Sequence, residues 1–216
     1  MTVAAPFLIC LVPPVAVSFC MVLLIEEFKM RHAVFAAVAG LAAVVPIAAV
    51  QFLLECAGLI SLHSLFSVLI KSLLINGAAE ETVKMSFFFF LPYKKMRLKV
   101  FFACAVLSGL FLGCFETVLY IVAGTEHFEL RLLTAVVIHA SCAGLSGLFV
   151  YSVRNGKTKA YPFILAIVLH GVYNYFAGFK TGSFFFWFSI AVVFISVIEC
   201  RLRYRSMNPE GLLLFK

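Results

Sequence analysis

The fold is decided by long stretches without charge, such as residues 33–54, which read AVFAAVAGLAAVVPIAAVQFLL. A run of about 20 apolar residues forms a helix that can cross roughly 30 Å of hydrocarbon. Similar stretches recur along the 216 residues, of which 64% are hydrophobic and 12% charged, with a mean hydropathy of +1.10. Soluble domains are about half apolar and about a quarter charged. The sequence therefore excludes a soluble globular protein and indicates a membrane protein.

The apolar stretches between charged residues predict seven membrane-spanning helices. They occupy residues 3–25, 33–54, 66–92, 100–124, 132–151, 160–179 and 182–200. These stretches are apolar on all sides and lack the alternation of polar and apolar residues that marks a membrane strand. We therefore predict an all-α, polytopic transmembrane bundle. Residues 1–205 would form one transmembrane domain, and residues 206–216 a short cytoplasmic tail.

The basic residues predict the orientation of the bundle, because Lys and Arg near span ends are retained on the cytoplasmic side. With the N-terminus outside and the C-terminus inside, the inner segments hold 13 of the 17 basic residues. The net charge of +7 is mostly this orientation signal, and the inner clusters can rest against anionic lipid of the bilayer. Nucleic acid is not expected as a partner, because the basic residues are not gathered on one folded face with aromatic residues between them.

Several polar side chains lie inside the predicted spans, where an ionisable group costs roughly 2.5–3.5 kcal/mol to insert. They are Glu80, Glu81 and Lys84 in the third span, Glu116 in the fourth, His139 in the fifth, and His170 with Asn174 in the sixth. Counted from the outer ends at about 1.5 Å per residue, the groups on all four helices lie at depths of about 9–15 Å. This shared depth predicts that four helices bring their polar groups to one site.

The spacing within these helices predicts local contacts. Glu80 and Glu81 precede Lys84 by four and three residues, so the lysine can pair with one carboxylate and leave the other free. The Asn-Gly pair at residues 76–77 is expected to loosen the helix just before the glutamates. The glycines at 109 and 113 form a G-x-x-x-G pattern, which lets a neighbouring helix approach closely.

This set of side chains favours hydrolysis of a peptide bond. A carboxylate in a low-dielectric pocket can take a proton from water, imidazoles can transfer protons, and an amide can donate a hydrogen bond to a tetrahedral oxyanion. The sequence contains no G-x-S-x-G motif of the kind that holds a serine nucleophile. The same Glu and His side chains can instead bind Zn²⁺, which would activate the water as a Lewis acid. One alternative is a proton- or metal-coupled transporter, although no inverted repeat is evident. The other is a non-enzymatic scaffold.

Four motifs resemble those of a known family. Residues 80–84, EETVK, resemble the E-E-x-x-K motif of the PrsW intramembrane proteases, relatives of the CAAX prenyl proteases and of bacteriocin-processing enzymes. Residues 113–120, GCFETVLY, look like that family's second motif, a glutamate flanked by Phe and Tyr. Residues 139–140, HA, and 170–174, HGVYN, look like the third and fourth motifs, and all four stand in the expected order.

The resemblance implies that Glu80 or Glu81 activates a water molecule, and analogy with the CAAX relatives favours Glu80 as the base. Glu81 would then serve in hydrogen bonding, and Lys84 would support the pair. Asn174 would stabilise the oxyanion.

The resemblance also implies that Glu116, His139 and His170 complete the site, and these three are the predicted ligands of a metal ion such as Zn²⁺. PrsW-like enzymes are described as metalloproteases, whereas the related glutamate proteases are thought to work without metal, so the cofactor stays open. The prenyl proteases have a histidine where Glu116 stands, so their substrate class is not transferred. The implied substrate is a membrane protein cut near the outer face, such as a single-pass anti-sigma factor, in a bacterial cytoplasmic membrane.

Overall fold

The computed structural model describes residues 4–58, 64–92, 94, 96–124 and 127–207. Most of these residues are helical, and none of them forms a strand. The helices are α1 Ala4–Leu24, α2 Met30–Cys56, α3 Leu65–Lys71, a π-helical segment Ser72–Ala79, α4 Glu80–Phe88, α5 Leu98–Val122, α6 Phe128–Leu133, α7 Ala135–Arg154, α8 Tyr161–Ala177 and α9 Phe184–Ser206. The predicted tail, 206–216, lies outside the described residues except for its first two.

Each of the seven predicted spans is helical. The helix α3, the π-helical segment and α4 follow one another without a break and form the third span, and α6 with α7 forms the fifth. Among the described residues, five stretches are long and apolar enough to cross a membrane: α1, α2, α5, α6 together with α7, and α9. The apolar helix α8 is shorter. The predicted all-α transmembrane bundle is confirmed.

The helix α5 lies in the core of the bundle, between α1, α2 and α7. Its Phe101 and Leu107 are fully buried together with Val150 of α7. Gly147 of α7 faces Ala105 of α5, and a side chain there would collide with the alanine. Small residues thus allow the two helices to pack without space for water.

The glycines at 109 and 113 allow the close approach that the sequence predicted. A side chain at Gly109 would overlap the backbone oxygen of His139, and one at Gly113 would collide with Val136 and with the His139 ring. The helix α5 therefore packs directly on the turn of α7 that carries His139.

A second pair of glycines joins α8 to the π-helical segment. Gly77 faces the backbone oxygen of Ile167, and Gly171 faces the backbone of Leu73. Gly171 directly follows His170, so this contact brings the His170 imidazole beside the glutamate pair.

Basic residues gather at one end of the bundle. At the start of α5, Arg97 forms an ion pair with Glu27, 2.9 Å apart, in the loop between α1 and α2. At the end of α7, Arg154 donates to the backbone oxygen of Leu91 at 2.9 Å. The opposite end is formed by the last turns of α2, α5 and α8 with α3 and α6, and the polar cavity described below opens there.

Candidate active site

The glutamate pair follows a widened stretch of helix. Residues Ser72–Ala79 have π-helical hydrogen bonding, and the α-helix resumes at Glu80. The predicted loosening around residues 76–77 is confirmed. π-helical turns change the direction in which the following side chains point, and they often occur at functional sites. Here the segment ends immediately before Glu80 and Glu81, both of which are buried.

Glu81 is enclosed by three partners. Lys84 Nζ lies 2.5 Å from its Oε1, and His170 Nδ1 lies 2.8 Å from the same oxygen. Ser146 Oγ donates to Oε2 at 2.9 Å. Glu81 has no exposed surface, so both of its oxygens are engaged inside the protein.

Glu80 has one oxygen with unused capacity. Gln51 Nε2 donates to Oε2 at 3.3 Å. Oε1 lies 3.4 Å from Lys84 Nζ, 3.1 Å from His139 Nδ1 and 3.8 Å from His170 Nε2. Even so, this buried oxygen accepts no hydrogen bond of good geometry from the described residues. Lys84 was expected to pair with one carboxylate, and it contacts both, Glu81 more closely.

The two imidazoles have defined hydrogen-bonding partners. Lys84 Nζ is 3.2 Å from His139 Nδ1, and Glu116 Oε2 is 2.5 Å from His139 Nε2. Because an ammonium group can only donate, Nδ1 accepts in the contact with Lys84, and Nε2 is the nitrogen that faces Glu116. Because an ionised carboxylate can only accept, His170 donates from Nδ1 to Glu81. Its other nitrogen, Nε2, faces Glu80. The two rings meet edge to face with centroids 4.9 Å apart.

Glu116 reaches this cluster from α5 and is held on its other side by Arg131. Arg131, in α6, donates to Glu116 Oε1 at 3.1 Å. Its guanidinium lies over the ring of Tyr120, 3.6 Å from the ring centroid. The two oxygens of Glu116 are therefore divided between Arg131 and His139.

A cavity of about 720 Å³ reaches the cluster from the end of the bundle opposite the basic residues. Its wall includes five of the residues singled out in the sequence: Glu80, Glu116, His139, His170 and Asn174. Glu81 and Lys84 do not line it and lie behind Glu80. Glu80, but not Glu81, therefore borders the cavity.

Asn174 lies one turn beyond His170 on α8 and lines the cavity. Its side chain forms no hydrogen bond or other polar contact with the described residues. The structure therefore brings all of the predicted site residues together, with the Asn174 amide available to a bound molecule.

The carboxylate nearest to both imidazoles is that of Glu80, whereas the predicted ligand set was Glu116, His139 and His170. One donor atom each from Glu80, His139 and His170 lies within 4.8 Å of the others. Glu116 instead contacts His139 on the Nε2 side of its ring. Because Nε2 faces Glu116, Nδ1 is the His139 nitrogen that faces Glu80, and it also contacts Lys84. The geometry thus favours Glu80 over Glu116 as the carboxylate of this group.

This group fits a divalent metal ion by its chemistry. Two imidazoles and a carboxylate are the ligands of many catalytic zinc sites, which keep a fourth position for water. The oxygen of Glu80 that accepts no hydrogen bond is a donor of the required kind. The Lys84 ammonium lies 3.2 Å from His139 Nδ1 and 3.4 Å from Glu80 Oε1. A positive charge therefore already lies beside two of the atoms that would bind the metal ion.

Three side chains that contact the site were missed by the sequence analysis. Gln51 is the one strongly polar residue in the stretch 33–54, which is a signal that could have identified it. Ser146 follows His139 by seven residues, two helical turns, and so lies on the same face of α7. Arg131 was assigned to an outer span end, and nothing in its spacing indicates that it turns back toward Glu116.

The fold and the site together define an integral membrane protein with a buried group of acids and imidazoles at the wall of a cavity, the arrangement expected of an intramembrane hydrolase. The chain matches the PrsW family intramembrane metalloproteases over residues 29–198, a range that includes every site residue above. The chain belongs to this family, and it is an intramembrane protease. No curated protein and no solved structure matches it significantly.

Proposed function

We propose that the protein hydrolyses a peptide bond in a transmembrane or membrane-proximal protein with a water molecule activated at Glu80. One observation carries the proposal. Glu80 Oε1 is buried at the cavity wall, and it accepts no hydrogen bond from the described residues although three nitrogen atoms lie within 3.8 Å. A carboxylate oxygen that accepts no hydrogen bond has lone pairs free to take a proton from a water molecule at the cavity.

Glu81 and Lys84 have a positioning role in this proposal. Both lie behind the cavity wall, and Glu81 is already bonded to Ser146 and His170. The single positive charge of Lys84 lies between two carboxylates, which lowers the cost of burying them. The pair thereby fixes the direction of Glu80 and of the His170 ring.

The reaction can be written with the side chains at the cavity. The water oxygen attacks the peptide carbonyl carbon while Glu80 takes a proton from the water. The Asn174 amide donates a hydrogen bond to the oxyanion that forms. His170 Nε2 passes the proton on to the leaving nitrogen as the C–N bond breaks.

Zinc, when bound by Glu80, His139 and His170, would supply a Lewis acid that polarises the carbonyl group and activates the water. Cleavage measured with and without a chelator separates this form from the metal-free form. Loss of activity in chelator, with recovery on addition of zinc, identifies the zinc enzyme. Activity that persists in chelator, in protein free of metal by elemental analysis, identifies Glu80 acting as the base without metal.

The orientation and the substrate class are part of the same proposal. With the basic end of the bundle on the cytoplasmic side of a bacterial membrane, the N-terminus is outside and the cavity opens to the outer face. The proposed substrate is a single-pass regulator, such as an anti-sigma factor, with a peptide bond at the depth of the site. Reporter fusions at the N-terminus and in the loop between α7 and α8 test the orientation, and an inner N-terminus would contradict it.

Comparison of membrane proteomes tests the reaction itself. Cells would express the wild type, Glu80→Gln or Glu55→Gln. Glu55 is a matched control because it lines the same cavity but pairs with Lys71 at 2.9 Å, away from the imidazoles. We expect a membrane protein that is shortened by the wild type and by Glu55→Gln to remain full length with Glu80→Gln. Equal shortening with Glu80→Gln would contradict the proposal.

A further inference from the structure

Arg131 lies outside the four motifs, in the short helix α6, and contacts the site from just before an irregular position in the fifth span. The helices α6 and α7 are separated at Thr134, whose φ of −122° and ψ of −67° depart from helical geometry. Thr134 is held there by a hydrogen bond between its hydroxyl and that of Tyr173, 2.8 Å apart. Arg131 lies three residues before this irregular position and contacts Glu116.

The contacts of Arg131 continue to the reacting groups. Arg131 donates to Glu116 Oε1, and Glu116 Oε2 lies 2.5 Å from His139 Nε2. The opposite nitrogen of the same ring, Nδ1, lies 3.1 Å from Glu80 Oε1. The direction of the His139 ring therefore depends on the direction of the Glu116 carboxylate.

We propose that Arg131 is a positioning residue that fixes the orientation of His139 through Glu116. Without Arg131, Glu116 could rotate about its side-chain bonds, because only the imidazole would hold it. A rotated carboxylate would no longer direct Nε2, and Nδ1 would turn away from Glu80. The rigid stack of the guanidinium on Tyr120, 3.6 Å from the ring centroid, holds the arginine itself in place.

This arrangement differs from an ordinary exposed ion pair, which contributes little to stability. The Arg131 and Glu116 side chains are about one quarter exposed, at 24% and 27%, and both line the cavity. Each oxygen of Glu116 has its own partner. The ion pair at the cavity mouth, Lys71 with Glu55, reaches no imidazole and provides the matched control.

The test follows the His139 Nε2 proton by NMR in protein labelled with ¹⁵N-histidine. The chain has five histidines, and His139→Gln assigns the signal by its disappearance. A proton held at a short distance from a carboxylate resonates far downfield. We expect Arg131→Gln to move this signal upfield, whereas Arg131→Lys, which keeps a donor and a charge, retains most of the downfield shift. Lys71→Gln should leave the signal in place.

An unmoved signal in Arg131→Gln would overturn the proposal, as would a shift of equal size in Lys71→Gln. If thermal unfolding shows that Arg131→Gln does not fold, Tyr120→Leu takes its place. It removes the ring beneath the guanidinium and should move the same signal upfield by a smaller amount. No movement in Tyr120→Leu would then overturn the proposal.

The effect on catalysis rests on the proposed function, whereas the NMR signal does not. On a substrate identified in the proteome comparison, Arg131→Gln should lower kcat by about 10- to 100-fold with little change in KM, because an outer partner of a site histidine acts through its orientation. A raised KM with unchanged kcat would indicate substrate binding and overturn the positioning role. Absence of cleavage by the wild type would count against the proposed function, and the NMR result would still decide the role of Arg131.

Discussion

The two halves of the contact between α5 and α7 are built alike but have different surroundings. Toward the basic end, Phe101 and Ala105 pack against the face of α7 that carries Gly147, in a dry core. Toward the other end, Gly109 brings α5 equally close to α7, but the neighbouring His139 faces a cavity with charged walls. Close packing in one half therefore fixes the height and direction of the polar groups in the other half. Stability and activity should therefore respond to different positions along the same helices.

The largest expected effect is on activity alone. Glu80→Gln keeps the size of the side chain but removes the proton acceptor, so kcat should fall by about 10³-fold, within the range for loss of a general base. The free energy of unfolding should change by only about 1 kcal/mol, because Lys84 keeps its closer partner Glu81 and the new amide oxygen can still accept from Gln51. Cleavage assays and unfolding in bicelles measure the two quantities. A large loss of stability would show that Glu80 belongs to the packed half.

Glu81→Ala should instead act mainly on stability. It leaves Lys84 and His170 buried without their closest carboxylate, and removing one partner of a buried ion pair costs about 3–5 kcal/mol. Ser146→Ala is the matched control, since it removes only one hydrogen bond to the same carboxylate, worth about 1.5–3 kcal/mol for a charged acceptor. Unfolding in bicelles gives both values. Equal values for the two variants would mean that the ion pair adds nothing to the bundle.

Asn174→Ala should lower kcat by about 10²-fold, the cost of losing one oxyanion donor. Its amide has no partner among the described residues, so the unfolding midpoint should stay at the wild-type temperature. Asn76→Ala removes another amide from the same cavity wall and serves as the control. Similar losses of kcat for both asparagines would contradict a specific role for Asn174.

Gly109→Ala and Gly147→Ala test the two halves against each other, and of the variants they are expected to change kcat least. Each adds one methyl group to the contact between α5 and α7, and overpacking costs about 1–3 kcal/mol. Only Gly109→Ala pushes on the turn that carries His139, so it alone should also lower kcat. Unfolding and cleavage measured on both variants test this. A loss of kcat in Gly147→Ala equal to that in Gly109→Ala would show that the two halves are not separable.

The sequence predicted the helices and the height of each polar group, because hydropathy and residue counting report position along a helix axis. It predicted less well which groups touch, because contacts depend on rotation about that axis, about 100° per residue. Glu116 was predicted as a metal ligand beside His170, but its carboxylate lies on the Nε2 side of His139. No proline or glycine in the sequence marks the irregular position at Thr134. The contact of Arg131 with Glu116 could therefore not be predicted.

The π-helical segment makes the site depend on the number of residues in Ser72–Ala79 as much as on their identity. A deletion or insertion in the segment would change its helical winding and could turn Glu80 and Glu81 relative to α3 by up to about 100°, the rotation of one α-helical residue. The carboxylates would then point into lipid or into the core, although every residue of the EETVK motif would still be present. An intact motif is therefore a poor guide to an active relative unless the length of the stretch before it is also retained.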